Sequence, residues 1–268
     1  MYYGISNIEF WLYFLLFFLA IYVSIFLPGF FLLSKLRIKS VVLIFVLSNF
    51  LLMALWGIQG YLFGYMHLRQ LTYLYCIFYL ALGIMQRKKQ GEYWRELLRV
   101  VRNNISLVTV VILIGSINQL FPIFGSGLKY GSEIRFFGNN AYDGVMHLSY
   151  SGSIVHFFPP REPGAYGLLI KNYHFWTDLV IADLSRIWNL PIIHLFFQFI
   201  PFYLSIIIGV TAYVLVREWG GSKKMALWFI FLLYFASDAA YSVILLLHKT
   251  IGFNTPAIDS GTLQFLNM

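Results

Sequence analysis

The sequence predicts an all-α fold: a polytopic helical membrane protein with about six transmembrane helices and one structured loop outside the bilayer. Three observations support this prediction: the composition, a series of long apolar runs, and one long polar interruption. Of the 268 residues, 60% are hydrophobic and only 11% are charged, whereas soluble domains contain about 25% charged residues. The single cysteine, Cys76, excludes a disulfide framework and a Cys-based zinc site.

Six apolar runs approach the roughly 20 residues that a helix needs to cross a hydrocarbon core about 30 Å thick. They cover residues 8–27, 41–63, 71–85, 105–121, 191–216 and 225–247. The third and fourth runs are short, and we expect both to extend into their flanks. The first run lacks the basic segment and cleavage site of a signal peptide, so we expect it to be a retained span.

The basic residues between the spans predict the orientation of the chain. With the N-terminus outside, the cytoplasmic connections hold 12 of the 19 Lys and Arg residues. Anionic lipid accounts for this positive charge without any nucleic acid. We therefore expect a multi-pass protein of the cell (plasma) membrane whose N-terminus and long loop, residues 122–189, are extracytoplasmic.

The loop of residues 122–189 is where the sequence predicts chemistry. It holds five of the 11 acidic residues and three of the six histidines. Loops of this length inside compact proteins are usually functional or disordered, and the many aromatic residues argue against disorder. Residues 125–127 and 130–132 predict turns. No Gly-Lys-Ser/Thr follows them, which excludes a phosphate-binding P-loop.

A first helix of the loop is predicted to begin at Asn140 as its N-cap. Asp143 and His147 then lie four residues apart on one helical face. Asn140 and Asp143 also fit a capping box in form, so Asp143 has either a catalytic or a capping role. Three prolines within residues 159–163 exclude regular structure there and predict an ordered, extended cover.

A second helix is predicted over residues 175–189. A helical wheel places Asp178 and Ser185 on one side and apolar residues such as Trp176 on the other. This pattern predicts an amphipathic helix resting on the outer membrane surface. Asp183 falls near the apolar side, where Arg186, three residues on, can pair with it.

Two segments carry a resemblance to a known family: Tyr142-Asp143-Gly144 through His147, and Lys171-Asn172-Tyr173-His174-Phe175, which opens a helix leading to the next span. From residue 105 onward the chain resembles the GT-C glycosyltransferases, in particular the multi-pass bacterial members of the mannosyltransferase and arabinosyltransferase type. The resemblance divides the chain into residues 1–104, with three spans and basic cytoplasmic loops, and a GT-C-like region, residues 105–268, which contains the catalytic loop.

The resemblance implies a glycosyltransferase of the cell envelope that moves a sugar, with inversion, from a polyprenyl-phosphate donor to a glycan, lipid or protein acceptor. In the family an Asp of the first outer loop is the base or the ligand of a divalent cation (Mg or Mn), a role that falls here on Asp143. A second acid would come from Asp238 or Asp259. The family has more than six spans, so we expect the chain to be an N-terminal fragment.

The chemistry of sugar transfer favours the same loop. A base must take the acceptor proton, and a cation must neutralise the departing phosphate. Asp143 and His147 are the candidate metal ligands, although His147 could equally be a hydrogen-bonded structural histidine. The candidates for binding the substrate are Lys129, Arg161, Lys171 and His174. For Arg161 and Lys171 the alternative is contact with lipid headgroups, and for His174 it is anchoring at the membrane interface.

Two other classes of function stay open at this point. A lipid-linked glycan transporter or flippase would place polar residues at the midplane of its spans, and a non-catalytic assembly protein would need no acids or histidines in the loop. Asp238 in the last run either faces a cavity or lies at the interface. The gathering of polar residues in one loop favours an enzyme.

Overall fold

The structure, a computed structural model, describes residues 4–36, 38–104, 107–165, 167–171 and 173–236. Asp238 and Asp259, the two candidates for a second catalytic acid, lie outside these residues. The described chain is mostly helical with one short hairpin, which confirms the predicted all-α class. Its elements are α1 (Ile8–Ile21), a π-helical turn (Tyr22–Phe26), α2 (Leu27–Leu33), α3 (Val41–Tyr65), α4 (Leu71–Met85), α5 (Arg87–Asn104), α6 (Leu107–Phe124), β1 (Leu128–Tyr130), β2 (Glu133–Arg135), a 3₁₀ turn (Gly138–Ala141), α7 (Asp143–His156), α8 (Trp176–Trp188), α9 (Ile192–His194), a second π-helical turn (Leu195–Phe199), α10 (Ile200–Glu218) and α11 (Lys223–Phe235).

Among the described residues, four helical stretches are long and apolar enough to cross a membrane: Ile8–Leu33, Val41–Tyr65, Leu107–Phe124 and Ile192–Glu218. α4 has the bounds predicted for the third span, but its 15 residues fall short of a full crossing. α11 is described for 13 residues. The structure therefore shows an apolar helical protein suited to a bilayer, with four candidate spans in its described part.

The chain divides into two compact units. The first unit contains Met1–Val100 and Tyr142–Phe196, and the second contains Val101–Ala141 and Phe197–Met268. Helices α7, α8 and α9 therefore belong with α1 to α4, although α6 precedes them in the sequence. The predicted long loop contributes to both units.

In the first unit, a row of glycines on α3 lets α8 and the residues directly after α7 approach closely. A Cβ atom added at Gly57 would lie 2.2 Å from the Trp176 ring, and one added at Gly60 would lie 2.6 Å from Asp183 Oδ2. At Gly64 it would lie 2.4 Å from the Phe158 ring. Small residues at such spacing let backbones pack at short distance in membrane proteins.

α8 is buried rather than resting on a surface. Asp178 is 0% exposed and Asp183 is 1% exposed. The prediction that Asp178 faces water is therefore wrong. The reason is that α8 is covered on more than one side, by α7 as well as by the glycine face of α3, so its acids pair inside the unit. Ser185 is partly exposed and donates a hydrogen bond to the carbonyl of Leu190 at 2.7 Å.

In the second unit, α6, α10 and α11 pack around Tyr234. The Tyr234 hydroxyl donates to the carbonyl of Ser205, and the amides of Asn118 and Gln119 donate to the carbonyl of Tyr234 at 3.3 and 3.2 Å. After α6, β1 and β2 form an antiparallel hairpin. Gly131 in its turn has φ +63°, which confirms the predicted turn.

The close approach of α8 to α3 predicts opposite effects for two glycine substitutions. Gly60→Ala places a methyl group against the buried Asp183 carboxylate, so we expect it to destabilise the protein by about 1–3 kcal/mol, the range for overpacked cores. Gly152→Ala on α7 meets nothing within 4 Å and should be neutral or stabilise the helix by about 0.5–1 kcal/mol. Thermal unfolding in detergent measures both. Equal midpoints for Gly60→Ala and wild type would contradict the packing of α8 on α3.

Candidate functional site

The candidate site begins at the N-terminus of α7. The residue before the helix is Tyr142, which makes no side-chain cap, and Asp143 is the first helical residue. The prediction that Asn140 caps the helix is wrong, because the 3₁₀ turn at Gly138–Ala141 delays the helix start. The Asn140 amide instead donates to the carbonyl of Pro122 at 3.0 Å. Asp143 is exposed, and its charge suits the positive end of the helix dipole.

One turn further along α7, His147 contacts a buried carboxylate on α8. Its Nδ1 lies 3.0 Å from Asp178 Oδ2 and 3.2 Å from Oδ1. Ser151 Oγ donates to the same carboxylate at 3.1 Å. The His147 side chain keeps 24% exposure while that of Asp178 has 1%. While Asp178 is ionised it can only accept hydrogen bonds, so Nδ1 carries the proton in this state.

The other ring nitrogen of His147 faces Tyr173, in the segment before α8. Tyr173 Oη lies 3.2 Å from Nε2. The Tyr173 ring packs edge-on against Tyr150, with centroids 5.2 Å apart. We call His147, Ser151, Asp178, Tyr150 and Tyr173 the His147 cluster. It joins a partly exposed imidazole to a buried acid on one side and to a phenol on the other.

Burial shifts the proton affinities in the His147 cluster. The pKa of Asp178 is raised above its usual value because burial disfavours the charge, while the hydrogen bonds from His147 and Ser151 oppose this shift. The pKa of Tyr173 is raised by burial and by the negative charges of Asp178 and Asp143. Tyr173 therefore stays protonated at neutral pH, and it donates to Nε2 when His147 is neutral with its proton on Nδ1.

The predicted cationic residues are on the surface. Lys129, Arg161, Lys171 and His174 are all exposed. The His174 ring stacks on Tyr173 of the His147 cluster, with centroids 4.8 Å apart. The Arg161 guanidinium lies 5.0 Å from the centroid of the Phe157 ring. Lys129 is on β1, in the second unit, whereas Arg161, Lys171 and His174 belong to the first.

The two predicted metal ligands share a helical face, but the described residues show no group of three or more His, Cys, Asp and Glu side chains placed to hold an ion. Both nitrogens of His147 already have partners, Asp178 and Tyr173. Divalent cations need more ligands than one exposed carboxylate. As they are arranged, Asp143 and His147 therefore do not form a binding site for a divalent cation within the described part of the chain.

The second buried acid of α8, Asp183, forms ion pairs with two arginines. Asp183 Oδ1 lies 3.0 Å from Arg69 Nη2 and 3.1 Å from Arg186 Nη2, which confirms the predicted pairing with Arg186. Arg69 follows α3, and its Nη1 donates at 2.7 Å to the carbonyl of Ile154 in the last turn of α7. Carbonyls at a helix end lack helical partners and favour a cation. Arg69 thus joins α7, α8 and the turn after α3.

Sequence reasoning missed two contacts of the buried acids of α8: Arg69 with Asp183, and His147 with Asp178. Arg69 is 114 residues from Asp183, and no local pattern relates them. Asp178 was assigned to the aqueous side by its place on a helical wheel. One signal was available: two acids five residues apart fall on different faces of a helix, so a single aqueous face cannot hold both.

Comparison of the chain with protein-family models, with curated proteins and with solved structures gives no match. The resemblance to GT-C glycosyltransferases therefore stays a prediction from the residues named above.

The raised pKa of Asp178 predicts a pH dependence of stability. A carboxyl whose pKa is higher in the folded than in the unfolded protein stabilises the fold at low pH, and this contribution is lost as the pH rises from about 4 through the folded-state pKa. The melting temperature of wild type relative to Asp178→Asn should therefore fall over this interval. Thermal melts of both proteins in detergent across a pH series measure the difference. A relative stability that rises with pH would contradict the burial of Asp178.

Proposed function

We propose that this protein is a membrane glycosyltransferase of the GT-C type, which transfers a sugar from a polyprenyl-phosphate donor to an extracytoplasmic glycan, lipid or protein acceptor. The observation that supports this proposal is the face of α7 on which the exposed Asp143 lies one turn from His147, itself held by the buried Asp178. Such a face offers a carboxylate to solvent beside an oriented imidazole, as base catalysis at an acceptor hydroxyl requires.

In the proposed reaction Asp143 is the catalytic base. The acceptor oxygen attacks the anomeric carbon of the sugar, and the bond from this carbon to the donor phosphate breaks as the new bond forms on the opposite face. The polyprenyl phosphate leaves with the bonding electrons, and the acceptor proton passes to Asp143. The stereochemistry at the anomeric carbon is inverted.

His147 is the positioning residue beside the base. The buried Asp178 accepts a hydrogen bond from Nδ1 and fixes the orientation of the ring. In other enzymes a third residue orients the general base in the same way. Tyr173 donates toward Nε2 at 3.2 Å, so rotation of this hydroxyl frees a lone pair for the acceptor. His147 is also the alternative base, since its ring keeps partial exposure.

The departing phosphate needs positive charge, which exposed cations can supply. Arg161, Lys171 and His174 are exposed in the first unit, and Lys129 is exposed in the second. Of these, we propose the three cations of the first unit, Arg161, Lys171 and His174, as the residues that bind the donor phosphate. The divalent cation that the family resemblance implies would need ligands beyond Asp143 and His147, and Asp238 and Asp259 remain the candidates for a second acid.

We further propose that the protein crosses the plasma membrane with about six spans. Its N-terminus and residues 122–189 then lie outside the cytoplasm. The four long apolar helices support the membrane environment. The excess of basic residues in the alternate connections supports the orientation.

The role of Asp143 is tested by Asp143→Asn. The amide keeps the size of the side chain but cannot accept the acceptor proton, so transfer should fall by about 10²- to 10⁴-fold, the range for removing a general base. Sugar transfer from a lipid-linked donor by the full-length protein in membranes is the measurement. Because Asp143 is the first helical residue and not the cap, its structural alternative is an interaction with the helix dipole, worth about 0.3–1 kcal/mol. A purely structural role of this kind predicts an unchanged rate.

The matched control is Glu133→Gln, which removes an exposed acid of the same loop that forms an ion pair with the half-buried Arg135. It should transfer sugar at the wild-type rate. Equal rates for wild type and Asp143→Asn would end the catalytic assignment. Loss of transfer by Asp143→Asn with unchanged donor binding supports an enzyme. The transporter hypothesis is favoured if neither wild type nor Asp143→Asn transfers sugar and both move the donor across the bilayer at the same rate.

The orientation is tested by single cysteines at two exposed positions, Ser132 and Lys224, after replacement of the buried Cys76 by Ala. An impermeant maleimide added to intact cells should label Ser132→Cys and not Lys224→Cys, and both should react after the cells are opened. Labelling of Lys224→Cys alone on intact cells would invert the topology and remove the extracytoplasmic site.

A further inference from the structure

α5 begins directly after α4 and has two contrasting faces. Its Tyr93 and Leu97 are buried against Phe26 and Phe30 of the first helical span. Its first residues are exposed and positively charged, and exposed lysines flank the turn between α2 and α3. We call these five cations the basic surface: Lys35, Lys39, Arg87, Lys88 and Lys89.

Three hydrogen bonds place the basic surface at the level where helices of the first unit end. Lys89 Nζ donates to Ser34 Oγ, just after α2, at 3.2 Å. The Tyr93 hydroxyl donates at 3.0 Å to the carbonyl of Val41, the first residue of α3. The Gln90 amide donates at 2.9 Å to the carbonyl of Gly83 near the end of α4.

The charge of the basic surface is not neutralised within the described part of the first unit. The ion pairs there join Arg69 and Arg186 to Asp183, His147 to Asp178, and Arg99 to Glu96. None of them uses a residue of the basic surface, and the bond of Lys89 to Ser34 is to a neutral hydroxyl. Five exposed positive charges beside these helix ends therefore attract anions.

Exposed apolar side chains lie next to these cations in the sequence. Leu36 is 57% exposed, Ile84 63% and Met85 78%. Cations at the end of apolar helices, beside exposed aliphatic side chains, match both parts of a phospholipid, since the headgroup phosphate meets the cations and the acyl chains meet the aliphatic groups. A nucleic acid or an acidic protein would use the charges but not the apolar neighbours.

We propose that the basic surface binds the phosphate groups of anionic phospholipids. The bound headgroups hold α5 at the membrane surface, where its apolar face covers the ends of the first helices. This interaction is independent of the proposed sugar transfer, because its residues lie outside the His147 cluster. Lysine and arginine near an anionic leaflet each strengthen binding by about fivefold.

The test compares two triple variants of the full chain with equal change in charge. Arg87→Gln/Lys88→Gln/Lys89→Gln removes three cations of the basic surface, and Arg217→Gln/Lys223→Gln/Lys224→Gln removes three exposed cations of the second unit. Each protein is reconstituted in phosphatidylcholine bilayers with a trace of spin-labelled phosphatidylglycerol or spin-labelled phosphatidylcholine. The fraction of motionally restricted label reports the association of each lipid with the protein.

Wild type should prefer phosphatidylglycerol over phosphatidylcholine, and the preference should fall in the first triple variant by at least about fivefold, the contribution of a single cation. The second triple variant should keep most of it. Raising the salt from about 0.1 to about 1 M should weaken the wild-type preference, because the Debye length falls from about 10 to about 3 Å. An equal fall in both variants, or an unchanged preference in the first, would overturn the proposal.

A control measures whether the first triple variant is folded: its melting temperature in pure phosphatidylcholine should equal that of wild type, because the three side chains are exposed. If the melting temperature falls, the same measurement is made on Lys35→Gln/Lys39→Gln, which leaves α5 intact. A preference for phosphatidylglycerol unchanged in that variant would likewise overturn the proposal.

Discussion

The buried ion pair between Arg69 and Asp183 is the interaction on which the first unit depends. Asp183 is almost fully buried, and its charge is met by Arg69 at 3.0 Å and by Arg186 at 3.1 Å. Removing one partner of such a pair leaves a charge in a poorly solvated place, at a cost of about 3–5 kcal/mol. Because Arg69 also donates to carbonyls at the end of α7, one guanidinium sets the positions of α7 and α8 relative to the turn after α3.

The candidate site follows from this arrangement. α8 carries its two acids five residues apart, so they point to different sides of the helix. Asp183 reaches the turn after α3, and Asp178 reaches His147 and Ser151 on α7. The glycine face of α3 brings its backbone close to α8 and leaves room for the Asp183 carboxylate. A change that tilts α8 would therefore alter the hydrogen bond at His147, although the ion pair is not part of the proposed reaction.

Local signals in the sequence predicted much of the architecture. The apolar runs predicted α3 and α4, the glycine at residue 131 predicted the turn of the hairpin, and the spacing of Asp183 and Arg186 predicted their pairing. The contacts of Arg69 and Asp178 could not be predicted, since they join residues distant in sequence. A helical wheel assumes one aqueous face, and this assumption fails for a helix covered on several sides. The capping role of Asn140 failed because a 3₁₀ turn competes with the helix start.

The most direct test of this account is a double-mutant cycle on Arg69 and Asp183, measured as free energies of unfolding of Arg69→Met, Asp183→Asn and the combined variant in detergent. Asp183→Asn should destabilise the protein by about 3–5 kcal/mol, since it leaves largely buried guanidinium groups without their acid. Arg69→Met should destabilise it as well, because Asp183 then keeps only Arg186 and the carbonyl of Ile154 loses its donor. The combined change should cost less than the sum of the two, by about 1–3 kcal/mol. Additive effects within about 0.5 kcal/mol would show that the two residues do not interact and would contradict the proposed placement of α8.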